Sequence, residues 1–138
     1  MTDSTTSEPK QRTITLTDRP PVRIREDQWP VIAHGNYKDW DNQYEFQANR
    51  TWKIDIRVRR HQDGRAIVYG VYDYDTQFQG EKGEAHKVGA LLAPDGDLPA
   101  AIKEAAEQMI ERVGDDDMHR HIRDAANECI ADLPAQEL

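Results

Sequence analysis

The clearest periodicity in the chain has a repeat of two. Trp52, Ile54, Ile56 and Val58 alternate with Lys53, Asp55, Arg57 and Arg59, the spacing of a half-buried strand. A second apolar stretch begins at Ala66, after Gln62-Asp63-Gly64-Arg65. An Asp-Gly pair between two such runs predicts a two-residue type I′ hairpin, a turn that needs positive φ at both central positions. With Asp63 and Gly64 as the loop, Val58 faces Tyr69 and Ile56 faces Val71, on an apolar side shared with Trp52, Ile54 and Ile67. The opposite side then pairs Lys53 with Tyr74, Asp55 with Tyr72, Arg57 with Gly70 and Arg59 with Val68.

Upstream, Thr13 to Thr17 alternates apolar residues with β-branched threonines and reads as a strand that Pro20-Pro21 stops. Val22 and Ile24 mark a short extended segment. Trp29-Pro30-Val31-Ile32-Ala33 marks another, expected at a sheet edge because Pro30 has no amide donor. Downstream, Ala85 to Leu92 gives a further strand.

The period then changes. Leu98, Ile102, Ala105, Ala106, Met109, Ile110 and Val113 recur at helical spacing behind Asp97 as N-cap and Pro99 in the first turn, with Gly114 as the stop. Asp115-Asp116-Asp117 opens a second helix whose apolar stripe runs Met118, Ile122, Ala125, Ala126, Cys129, Ile130 and Leu133, ending at Pro134. The predicted class is α+β: an antiparallel sheet of three to five strands around the hairpin at Asp63-Gly64, then two amphipathic helices packed on one face. Residues 1–11 read as a flexible tail and 12–138 as a single domain, with its sheet in 12–92 and its helical hairpin in 97–133.

Composition makes the core lean. Apolar residues are 37% of 138, but 14 of them are alanine, and Leu, Ile, Val and Phe number 25. A net charge of −8 disfavours a whole-molecule binder of nucleic acid or anionic membrane. That charge is unevenly spread: residues 1–65 carry 12 Lys and Arg against 10 Asp and Glu, and residues 66–138 carry 6 against 16. A patch can therefore differ in sign from the whole, since screening limits its reach to about 8 Å. No run of apolar residues spans a membrane, and Met1 to Lys10 lacks the apolar stretch of a secretory signal, so a cytoplasmic address is expected. Asn49-Arg50-Thr51 has the form of a glycosylation acceptor, which such an address would leave unmodified.

Local motifs for catalysis are missing. His119 and His121 are two residues apart on a helix and point away from each other, no HExxH or Cys/His cluster occurs, and Asp115 to Asp117 lacks the alternating ligands of a calcium loop. No cofactor or metal is expected. Cys129 lies on an apolar stripe, where desolvation opposes nucleophilic use. Neither GxxxxGK[ST], GxGxxG nor GxSxG is present, so no catalytic residue is nominated.

Three surfaces remain as candidates for binding. Glu104, Glu107 and Glu111 on the first helix, with Asp124 and Glu128 on the second, form either an ordinary solvated face or an anionic ridge for a basic protein. Tyr37, Trp40, Tyr44 and Phe46 lie in a polar segment, 34–50, which is either a binding loop rich in interface residues or another strand whose aromatics fill the lean core. On the hairpin's outer side, Lys53, Arg57 and Arg59 stand with Tyr72 and Tyr74, a mixture that suits single-stranded nucleic acid; the plainer reading is that the long cationic stems cover the rings.

Glu26 to Ala33, Asp41 to Glu45 and Asp63 to Gly70 resemble segments of small uncharacterised proteins carried by proteobacterial mobile elements, over about residues 20–95. The resemblance implies an accessory protein, and small acidic accessory proteins of such elements include inhibitors of host defence systems. The resulting expectation is a non-enzymatic interaction or regulatory protein that binds a protein partner, with a homodimer completing a lean core or open sheet edge. The alternative is a sheet-face binder of single-stranded nucleic acid, and the third reading is a small enzyme without a local motif.

Overall fold

A computed structural model describes residues 10–41 and 49–135. Six strands precede two helices: β1 (Gln11–Leu16), β2 (Arg19–Arg25), β3 (Val31–Asp41), β4 (Arg50–Arg60), β5 (Ala66–Thr76), β6 (Glu84–Leu92), α1 (Leu98–Arg112) and α2 (Asp116–Ala131). The α+β class and the C-terminal helices agree with the sequence pattern. The strands form two antiparallel sheets, a β1-β2 ribbon and a four-stranded sheet in the order β3-β4-β5-β6, where one sheet was expected. Of the expected tail, residues 1–9 lie outside the described residues, and Gln11 already belongs to β1. Pro20 and Pro21 do not end a strand. They sit inside β2, which has a single neighbour and so can leave an amide-less edge, and the reversal comes earlier at Asp18, with φ 60°.

The hairpin between β4 and β5 departs from expectation by one residue. Among the turn residues only Gly64 has positive φ, at 95°, so a type I′ turn is excluded. Gly64 N donates to His61 O and His61 N to Arg65 O, both at 2.9 Å, which makes a three-residue loop with glycine in the left-handed position. Val58 therefore pairs with Val68, Ile56 with Gly70, Ile54 with Tyr72 and Trp52 with Tyr74. A one-residue slip exchanges the two faces of the second strand. Val68, Tyr72 and Tyr74 turn toward the helices, and Ile67, Tyr69 and Val71 turn away.

Both sheet faces carry a core. The helices cover one with Ile54, Ile56, Val58, Val68, Tyr72 and Val88 packed on Ile102, Met109, Ile122 and Cys129, all buried. The ribbon covers part of the other with Ile14, Leu16, Ile24 and Trp29 on Ile67 and Tyr69. Two glycines set these layers close together. A Cβ on Gly35 of β3 would lie 1.9 Å from the Ala125 carbonyl oxygen of α2, and one on Gly89 of β6 would lie 2.3 Å from the Thr15 carbonyl oxygen of β1. Asp97 caps α1 by accepting from Ala100 N, and Asp115 caps α2 by accepting from Asp117 N. Among the described residues no helix is long and apolar enough to cross a membrane.

Candidate functional site

The helical layer carries most of the net negative charge. Residues 93–135 hold 4 Lys and Arg against 11 Asp and Glu, whereas residues 10–41 and 49–92 hold 14 against 11. Glu104, Glu107, Glu111, Asp124 and Glu128 are all exposed on this layer. They do not make one continuous ridge. With 100° between successive residues, Glu128 falls on the α2 stripe of His121 and Asp132, both of which touch β3; Asp124 points to the same flank. Between these acids and those of α1 runs a groove of about 370 Å³ lined by Lys103, Ala106, Glu107, Arg123, Ala126 and Asn127. Arg123 Nε lies 3.6 Å from Glu107 Oε1 across it, an exposed pair worth little to stability. Two anionic strips with a partly cationic groove between them replace the ridge.

The aromatic set separates by residue. Tyr37 stacks on His121 of α2 with ring centroids 3.8 Å apart and donates to Asp39 Oδ2 at 2.9 Å. Desolvation, reinforced by that carboxylate, raises its pKa. Trp40 is 55% exposed. Tyr44 and Phe46 lie outside the described residues. The expected loop is in its first part strand, since β3 continues to Asp41 and pairs with β4 down to Arg50.

The basic hairpin face does not exist as drawn from the sequence. Lys53, Arg57 and Arg59 stay on the side away from the helices, but Tyr72 is buried against the helices at 1% exposure and Tyr74 stacks on Trp52 at 5.4 Å. The slip in register is the cause. Arg59 is lost to the surface as well, at 5% exposure under the ribbon. Its Nε donates to Tyr69 Oη at 2.8 Å and its Nη1 to the Trp29 carbonyl at 3.0 Å. Arg59 thus ties the β2-β3 connection to the sheet. Nearby, the Arg12 guanidinium donates to Glu26 at 2.6 Å and holds that carboxyl below its ordinary pKa.

Sequence spacing gave no signal for a second cluster at the opposite end of the sheet. Arg50 donates to both oxygens of Glu81, at 3.2 and 2.6 Å, and to Asp41 at 3.0 Å, while its guanidinium lies 4.1 Å above the Phe78 ring. Tyr74 and Thr76 add hydroxyl donors to Glu81 at 2.8 and 3.0 Å. These bonds, Arg50 foremost, pull the Glu81 pKa down to about 2. The partners are 31 residues apart in the chain, so only folding joins them.

Among the described residues no three His, Cys, Asp or Glu side chains converge to hold a metal ion. Cys129 is buried, and desolvation pushes its thiol up to about 11. Two adjoining grooves of about 820 and 710 Å³ share Arg60. Their walls are Ile32, Leu98, Ile130, Leu133 and four prolines, with Asp27, Asp95, Asp97 and His61 at the margins. Asp97 is committed to its helix cap and His61 Nδ1 to Asp63, and the lining has no serine, threonine, cysteine or lysine.

At the sheet edges, Thr17 covers β6 by bonding both N and O of Gly89. On β3, Asp132 accepts from His34 N and Asp39 from Trp40 N, so side chains occupy two of the outward amides. Comparison with protein-family models, curated proteins and solved structures returns no match.

Proposed function

We propose that this chain is a non-enzymatic interaction or regulatory protein that docks the outer surface of α1 and α2 on a basic surface of a protein partner. The observation that carries this reading is charge segregation: 11 carboxylates against 4 cations in residues 93–135, with Glu104, Glu107, Glu111, Asp124 and Glu128 all turned to solvent. Carboxylates on rigid helices keep fixed spacings, so they match an array of Lys and Arg at little entropic cost. A partner surface that ordinarily holds nucleic acid fits this pattern, and a host defence protein is such a partner if the chain is an accessory of a mobile element. The groove with Lys103 and Arg123 lets the same surface accept one or two acidic groups of the partner, which adds register to the charge attraction.

Affinity capture from the native host tests this. Glu104→Lys, Glu107→Lys and Glu111→Lys together are expected to lower partner recovery at least about tenfold, because like charges then face each other across the contact. Asp124→Lys with Glu128→Lys reports on the second strip separately. Undiminished recovery with both sets reversed would overturn the proposal.

A further inference from the structure

Among the described residues the ribbon covers only part of the sheet face that turns away from the helices, since β1 meets β6 and β5, and its border forms a step. β1 is the riser, held down on β6 at Gly89. At its foot a crevice of about 100 Å³ lies between Arg12, Thr13 and Thr15 above and Val71 and Lys87 below. On the open floor, the register sets Lys38 directly beside Lys53. Like charges opposed across strands cost stability on a bare sheet. Trp40 follows Lys38 by two residues and so shares its face, 55% exposed. Strands are about 4.8 Å apart, which puts Lys38 on β3 and Lys87 on β6 roughly 16 Å from each other along the diagonal.

We infer that this stepped face binds single-stranded nucleic acid, with Trp40 stacking on a base and Lys38, Lys53 and Lys87 holding phosphates along the path from β3 to the foot of β1. Of these residues only Lys53 also belongs to the face that the unslipped register would have brought together, and the site is independent of the helical docking surface. Asp55 is engaged by His34 at 2.7 Å and lies 3.8 Å from Arg57. Asp73, opposite Lys53, lies on the path toward Lys87, and Asp75 borders it on β5. The exposed carboxylates of α1 and α2 lie on the other side of the sheet, where the helices pack. Nucleic acid is the occupant that uses both features of the face, because phosphates meet the lysines and a base meets the indole, whereas an acidic protein surface would use the lysines alone.

Fluorescence anisotropy of a labelled deoxy-oligonucleotide titrated with the full chain tests this directly. Three phosphate contacts give a log-log salt slope near −2, so binding is expected at about 20 mM salt and should weaken roughly fifty- to a hundredfold by about 150 mM. Lys38→Glu, Lys53→Glu and Lys87→Glu together should weaken it at least about tenfold at unchanged melting temperature, and Trp40→Ala roughly tenfold by loss of stacking. Reversal at Glu104, Glu107 and Glu111 should not weaken it, which separates this site from the helical one. No binding at low salt, or undiminished binding by the lysine variant, would overturn the inference. So would tighter binding of polyglutamate than of the oligonucleotide with no effect of Trp40→Ala, which would mark a protein-docking patch instead.

Discussion

Arg59 shows how far a single side chain's role depends on its surroundings. A guanidinium on an alternating strand reads as surface, yet here it is closed in by the ribbon and donates to Tyr69 and Trp29. Arg59→Ala would leave a buried hydroxyl and a carbonyl without their donor, and a loss of about 2–4 kcal/mol is expected in urea unfolding. Arg59→Met with Tyr69→Phe should recover part of it, since it removes both polar partners of the Nε bond together. Glu81, together with Glu26 and Asp63, whose carboxyls are also held below their ordinary values, supplies pH dependence in the acid range. The Glu81 carboxyl titrates at about 2 in the folded chain, against 4.5 ordinarily, so its contribution is fully present above pH 4.5 and is lost as pH falls toward 2. Glu81→Gln should flatten the stability profile within that window and leave it unaltered at neutral pH in slope. Cys129, buried and held neutral, should react with a thiol reagent only as fast as the chain opens.

Among the elements, the β4-β5 hairpin has the largest consequence for surface chemistry. Its existence and position were legible from two alternating runs around Asp63-Gly64, but its register was not. The pair of residues suits both a two-residue turn with two positive φ values and a three-residue loop with one, and the alternation on β4 is the same in either case. What selects between them lies on β5, where Tyr69 must reach Arg59 under the ribbon and Tyr72 must fill the space beneath α1 and α2. Strand partners seen by nuclear Overhauser contacts should include Ile54 with Tyr72 and Val58 with Val68. Contacts of Val58 with Tyr69 as direct partners would restore the other register and return the tyrosines to the basic face. Gly35→Ala tests the other close approach. Its methyl meets the backbone of α2, which has no rotamer to move, so a loss of at least about 2 kcal/mol is expected.

At the scale of the molecule, three layers separate charge by side: residues 93–135 with 11 carboxylates and 4 cations, and residues 10–41 and 49–92 with a cationic excess. The ribbon's core is the smaller of the two, so Ile24→Ala should raise hydrogen exchange in β1 and β2 ahead of that in β4 and β5. The sequence by itself determined the α+β class, both helices with their acidic caps, the central hairpin, and the burial of Cys129, because each rests on periodicity or on a turn and cap chemistry that acts over a few residues. Only the tertiary structure decided that the first two strands form a separate ribbon, which way β5 faces, that Arg59 is enclosed, and that Arg50 meets Glu81. Those outcomes depend on which apolar surfaces cover one another across long stretches of chain, and a local pattern carries no information about its distant partner.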